Sequence, residues 1–263
     1  MNPSRALSEA VRRAKGEKQR AALVCFVTCG FPTVADTVPV LLALQEAGAD
    51  VLELGIPFSD PIAEGPTIQY SSQVALEQNV TFKDCIETVA RARKAGVHVP
   101  IVLMGYLNPL VRLGEERAVR EAAEAGANGF IVVDLPPEHD EVFQAACSKY
   151  RMASIPLIAP TSRVKRMQLL LQHGSGFAYA IAVTGVTGAR SELASDISDY
   201  LSTVRDCTAL PLCVGFGVST RDHFLALEPH VDGIVIGSAI IKAIDKSHKE
   251  GRPAADGARD FVL

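Results

Sequence analysis

Eight short apolar runs, each bounded by Gly, Pro or polar residues, recur along the chain and constrain its fold more than any other feature. They are AALVCFVTC (21–29), DVLELG (50–55), PIVLMGY (100–106), GFIVVD (129–134), ASIPLIA (153–159), GFAYAIA (176–182), PLCVGFG (211–217) and GIVIGS (233–238). Apolar runs without polar alternation suit strands covered on both faces, as in a parallel sheet wrapped by helices. Helical patterns fill the gaps. In TFKDCIETVARARKAG, Phe82, Cys85, Ile86 and Val89 fall at helical spacing, with charges elsewhere. Thr81 is the expected N-cap, with Asp84 three residues on in the place that Glu or Gln fills best. Gly48, Gly96 and Gly126 stand where helices should end before the next strand.

Eight such βα units in 263 residues predict an α/β fold of the TIM (β/α)8 barrel type, as one domain over 1–263. An N-terminal extra helix is expected over 1–20 and a short C-terminal tail over 243–263. A doubly wound open sheet is the alternative; in either fold, function gathers at the C-terminal ends of the strands.

The composition, 48% hydrophobic and 21% charged, suffices for a substantial core. A net charge of −4 without a basic stripe argues against a nucleic-acid partner. No run approaches membrane-spanning length or resembles a signal peptide, which leads to the expectation of a cytoplasmic protein with no membrane partner. The six cysteines show no CxxC spacing, so buried free thiols in a reducing compartment are expected rather than a disulfide framework or a zinc site.

Two connections are long: the one after the second strand, which includes the helical piece TIQYSSQVALEQ, and VTGVTGARSELASD after the sixth. Long structured loops in a compact domain usually serve as lids or binding loops. Late in the chain, Gly185 to Gly188, Gly215 to Gly217, and Gly237-Ser238 lie at strand ends. Barrels bind phosphate with the loops after strands seven and eight, where glycine lets backbone N–H groups approach the anion. Ser238 is expected to add a hydroxyl and to cap the helix AIIKAIDK, whereas Lys242, one turn in, should be solvated.

Carboxylates are the candidates for acid–base chemistry. Glu53 sits inside VLELG, where a strand residue should be Val or Ile. A buried Glu there either forms a salt bridge to a neighbouring strand or holds a raised pKa and donates protons near neutrality. Glu64 is flanked by Pro61 and Pro66 on a stiff loop. Asp60 reads as a turn residue, and Asp134 as either a site residue or a helix cap. The six histidines fall in helices or in turns at the far end of the barrel, and no nucleophile–His pair or HExxH is visible.

At this point the residues match a family. ELGIPFSDPIAEGPTIQ (53–69) closely resembles the signature of the tryptophan synthase α subunit, and FVTCGFP, LMGYLNP, NGFIVVDLPPE, TGVTGAR, VGFGVST and GSAI agree with the rest of that barrel. LMGYLNPL and GANGFIVVDLPPE look most like the fungal form, in which α and β are fused. The resemblance implies retro-aldol cleavage of indole-3-glycerol phosphate to indole and glyceraldehyde-3-phosphate. It also implies no cofactor in this chain, pyridoxal phosphate being carried only by the β partner, which is a separate subunit or a fused β domain.

The site residues follow from the resemblance. Glu53 carries the proton to indole carbon 3, and Glu64 accepts the indole N–H. Phe26, Tyr106, Ile131 and Tyr179 surround the indole, while Gly188, Gly217, Gly237 and Ser238 hold the phosphate. Thr187 helps close the sixth loop over the second, and Asp60 and Asn108 face the β partner.

One departure stands out: the family has Asp in ADGP, whereas this chain has Glu64 in AEGP. The extra methylene moves the carboxyl by about 1 Å, and misplacement of that order costs roughly a hundredfold in rate. The chain is therefore expected to be slowed unless its loop sits further back. Two alternatives stay open: a free-standing indole-3-glycerol-phosphate lyase, and a catalytically weak α subunit that mainly binds and activates β.

Overall fold

The computed structural model describes residues 2–181, 190–215 and 217–263, with the side chains of 190–196 left aside. All strands pair in parallel in one sheet. They are β1 (Ala22–Thr28), β2 (Val51–Gly55), β3 (Ile101–Gly105), β4 (Gly129–Val132), β5 (Ala153–Ser154), β6 (Leu157–Ile158), β7 (Ala178–Ile181), β8 (Leu212–Gly215) and β9 (Gly233–Ile236). Around them lie α1 (Pro3–Glu17), α2 (Thr37–Glu46), α3 (Pro66–Glu77), α4 (Phe82–Lys94), α5 (Leu107–Leu113), α6 (Glu115–Ala125), α7 (Glu141–Tyr150), α8 (Val164–Gln172), α9 (Arg190–Asp206), α10 (Arg221–Leu227), α11 (Ser238–Lys249) and α12 (Ala254–Val262).

The spatial order runs β5-β4-β3-β2-β1-β9-β8-β7-β6, so the two ends of the sheet are halves of the single apolar run ASIPLIA. Pro156 divides that run because it has no N–H to give the ladder. The chain closes the barrel at this point. Ile155 N donates to Phe130 O of β4 at 2.9 Å, and Pro156 O accepts from Tyr179 N of β7 at 3.0 Å. The eight runs thus make a closed (β/α)8 barrel, with the fifth strand in two short pieces.

Alternation along the strands sorts the core into two layers. Leu52 and Leu54 face the outer helices, while Val51 joins Val24, Val102, Ile131, Phe177, Cys213 and Val235 inside the barrel. Leu7, Val11 and Ala14 of α1 complete that interior cluster. Asn2 caps the helix, its side chain accepting from Ser4 N at 3.1 Å, and Pro3 begins it. The helix expected over 1–20 therefore ends at Glu17 and covers the end of the barrel opposite the strand C-termini.

The short tail expected over 243–263 needs correction. Helix α11 continues to Lys249, and α12 follows from Ala254 and packs on α11 and α2. Gly257, a weak helix former, obscures this helix in the sequence. A Cβ at Gly257 would lie 2.5 Å from Ala243 O and 2.6 Å from the Ser247 side chain, so close helix contact demands the glycine. Thr81 caps α4 with both halves of a capping box, and Asp84 fills the role for which Glu or Gln is the usual partner. Gly48, Gly96 and Gly126 adopt φ of +106°, +107° and +97° at their helix ends.

Candidate active site

Glu53 lies in the middle of β2, with Phe26 of β1 and Val102 of β3 as its register partners. Its side chain takes the inward phase of the strand, two residues from Val51 of the interior cluster. Only 1% of the residue is exposed, and neither carboxyl oxygen has a hydrogen-bond partner among the described residues. The salt bridge that would have made it merely structural is absent among those residues. Burial, with the nearby Glu64 carboxylate acting in the same sense, pushes its pKa up to about 8. The barrel therefore holds a neutral carboxylic acid at pH 7, able to donate a proton.

Tyr179 and Cys213 lie within electrostatic reach of Glu53. Burial raises both of their pKa values well above the usual range, with Glu53 adding to each. The ring of Tyr179 depends on Gly215 of the next strand, where a Cβ would come within 2.9 Å of the ring carbons. Phe26 depends likewise on Gly55, where a Cβ would come within 2.5 Å of its ring, and it packs closely against Gly237. These glycines clear the space that two aromatic rings occupy over the acid.

The chain leaves β2 through Ile56-Pro57-Phe58 and returns at α3. Proline at the first position of α3 starts the helix without wasting an N–H. Glu64 sits half-buried on this loop, and desolvation raises its pKa. It lines a cavity of about 20 Å³ with Phe26, Thr28, Phe58, Ser72, Met104 and Tyr106. The Phe58 and Tyr106 rings stack with centroids 4.9 Å apart, and the Tyr106 hydroxyl accepts from Ala63 N at 3.0 Å. A larger cleft of about 510 Å³ opens alongside, lined by Ala63, the β4–α7 connection, Ile155 to Leu157, and Ile181. Glu53 lines neither space and lies shut off from solvent beneath the mouth.

Of the other sequence candidates, Ile131 is fully buried in the interior cluster rather than lining either space. Gly217 takes φ +60°, a conformation that favours glycine. Gly237 occupies the cap position of α11 with Ser238 as the first helical residue, and no side chain caps the helix. The expectation that Ser238 caps α11 is thus corrected: the helix starts one residue too early for it. Its first backbone N–H groups have no hydrogen-bond partner among the described residues. Lys242 is exposed, as its position one turn into the helix suggested.

Asp60, on the loop after β2, and Asn108, in α5, are both exposed, and Ile62, two residues after Asp60, is 86% exposed. Asp134 accepts from Leu107 N at 2.7 Å, so it caps α5 after the neighbouring strand and not a helical turn following its own strand, as the sequence had left open. Thr187 and Gly188 lie outside the described residues, although the long sixth connection becomes helical at Arg190. Sequence reasoning missed Thr28, Phe58, Gln69 and Ser72, whose hydrogen bonds or stacking frame the loop. Ser71 and Ser72, adjacent in TIQYSSQVALEQ, are both buried on α3, which the sequence alone does not reveal.

A closed parallel barrel with an unpaired acid on its second strand, and a second carboxylate on the loop above, defines a barrel enzyme of the carboxylate acid–base class. A model of the tryptophan synthase alpha chain matches residues 13–260. The chain is 49% identical over 260 residues to the tryptophan synthase of Saccharomyces cerevisiae, covering 98% of this chain and 36% of that protein. It is 46% identical over 227 residues to the tryptophan synthase alpha chain of Chloroflexus aggregans, covering 86% and 85% of the two chains. Among solved structures, the tryptophan synthase alpha chain of Legionella pneumophila superposes with a TM-score of 0.89 at 31% identity, over 100% of this chain and 95% of that one. The chain belongs to the tryptophan synthase α chain family. It is a lyase of tryptophan biosynthesis, from a family whose chains pair with a β subunit that carries the pyridoxal phosphate.

Proposed function

We propose that this chain cleaves indole-3-glycerol phosphate to indole and glyceraldehyde-3-phosphate, with Glu53 moving the proton and Glu64 steadying the ring. The observation that carries this reading is the buried, neutral Glu53, without a hydrogen-bond partner among the described residues and within electrostatic reach of Glu64. The neutral carboxyl donates its proton to indole carbon 3, which leaves the ring a cation with its charge at the N–H. Glu64 accepts a hydrogen bond from that N–H and stabilises the charge. The Glu53 carboxylate then takes the proton of the glycerol hydroxyl on the carbon bonded to the ring. The carbon–carbon bond breaks, its electron pair restores the indole, and the hydroxyl carbon becomes the aldehyde. One proton has moved from oxygen to carbon, and Glu53 ends as it began.

Phe26, Tyr106, Ile131 and Tyr179 form the apolar setting for the ring. Gly188, Gly217, Gly237 and Ser238 hold the phosphate at the start of α11, and Thr187 closes the sixth loop. Asp60, exposed on the loop after β2, and Asn108, exposed in α5, face the β partner, a subunit or a fused β domain. The reaction as written needs no cofactor at this site. Buried free thiols at Cys25, Cys29, Cys85, Cys147 and Cys213 suit a reducing, cytoplasmic setting.

The test is indole release by the parent chain, Glu53→Gln and Glu64→Asp, each with and without a β subunit. Loss of activity in Glu53→Gln supports the assignment. A gain in Glu64→Asp supports the reading in which the longer side chain slows this enzyme, and no gain sinks it. Indifference to β marks a free-standing lyase, whereas a silent chain that stimulates β marks a mainly activating subunit.

A further inference from the structure

Three side chains grip the loop that carries Glu64, and each grips it by the backbone. Ser72 Oγ accepts from Phe58 N at 2.9 Å and donates to Phe58 O at 3.2 Å, closing a two-way bond on one peptide unit. Gln69 Nε2 donates to the carbonyl of Glu64 itself at 2.9 Å. Tyr106 Oη accepts from the N–H of Ala63, the residue before Glu64, at 3.0 Å. Gln69 and Ser72 are three residues apart and so share one face of α3.

Helix α3 is itself docked on the barrel. Thr28 at the end of β1 and Ser71 share a buried 2.6 Å hydrogen bond, and Ser71 Oγ also donates to Ile68 O at 2.9 Å. The path from barrel to carboxylate therefore runs β1, Ser71, α3, then Gln69 and Ser72, then the loop backbone. Tyr106, the residue after β3, closes the frame from the other side, its ring stacked on Phe58. None of these bonds uses the Glu64 carboxylate, which remains free to meet a substrate.

We infer that Gln69 and Ser72 of α3 are positioning residues that fix the reach of the Glu64 carboxylate through the loop backbone. This inference rests on the acid–base reading of Glu64 given above. For the Glu64 carboxylate to meet a ring N–H, the loop that carries it must be set at a definite height. Backbone anchors at residues 58, 63 and 64 set that height without contacting the substrate. Ser72, 5% exposed, reaches both polar groups of Phe58 at once through its hydroxyl, which Ala lacks.

The experiment compares Ser72→Ala, Ser72→Thr, Gln69→Ala and Glu64→Ala, alone and combined, in the complex with a β subunit. Ser72→Ala should lower kcat by about 10- to 100-fold, the range expected of a misplaced catalytic group, while KM changes little. Ser72→Thr keeps the hydroxyl and should restore most of the rate. In a Glu64→Ala background, Ser72→Ala should have no further effect, because the two act as one unit. Unchanged kcat in Ser72→Ala, or full additivity with Glu64→Ala, overturns the inference.

Amide exchange separates this inference from the functional reading beneath it. Ser72→Ala should speed exchange across 58–64 while leaving β1 and β2 protected, whether or not the parent chain releases indole. Exchange at 58–64 that does not change overturns the positioning role even in an active enzyme. A parent chain with no lyase activity but accelerated loop exchange in the variant sinks the functional reading and leaves the frame standing.

Discussion

Phe26 of β1 stands opposite Glu53 of β2 in the parallel ladder, its ring in space left by Gly55 and Gly237. An aromatic ring beside an unpaired acid keeps water from it, and burial is the larger cause of the acid's raised pKa. The rate of indole formation should therefore fall as pH rises through about 8, where Glu53 loses the proton it must donate. On the acid side it should rise as Glu64 ionises, at a pH above the usual carboxylate range. Glu64→Gln removes the neighbouring charge and should move the alkaline limb to lower pH. A pH profile of kcat/KM for both proteins reads this directly.

The same acid weakens the fold at high pH. Unfolded, Glu53 ionises near its ordinary value of 4.5; folded, it holds its proton to about 8. Its folded-state pKa is raised, so stability is full below the unfolded pKa and is lost progressively as pH climbs to the folded one. Beyond that point the loss is constant, at up to about 5 kcal/mol. Glu53→Gln should thus melt at the same temperature as the parent near pH 4 and above it at pH 8.5. Thermal melts across that range check the sign.

Gly215 and Tyr179 predict a steric coupling. Gly215→Ala drives a methyl into the phenol ring and should cost about 1–3 kcal/mol and most of the activity. Combining it with Tyr179→Leu should recover stability without recovering the full rate. Denaturant midpoints and indole assays on the double mutant separate the two effects.

At the other end of the barrel, Leu7 of α1 is fully buried in the interior cluster. Leu7→Ala should destabilise by about 2–5 kcal/mol through lost burial and the cavity left behind. Because α1 lies far from the strand C-termini, KM at low temperature should stay near the parent value.

The barrel was legible in the sequence because every strand is an apolar run between breakers, and Glu53 was legible because it interrupts one. Pro156 showed why one run makes two strand pieces only once the hydrogen bonds to Phe130 and Tyr179 were in view. Helix α12 was hidden by Gly257, a residue chosen for contact with Ala243 rather than for helix propensity. The frame around Glu64 was hidden for a different reason. Ser72, Gln69 and Tyr106 act through backbone groups 14, 5 and 43 residues away, and no local pattern records such pairs.

The most direct test of the account is single-turnover cleavage of indole-3-glycerol phosphate by Glu53→Gln beside the parent chain, at pH 7 with β present. A proton donor of this kind supplies about 10²- to 10⁴-fold, so the rate should fall by at least about a hundredfold with substrate binding nearly unchanged. A variant that keeps more than about a tenth of the parent rate contradicts the central claim that Glu53 carries the proton.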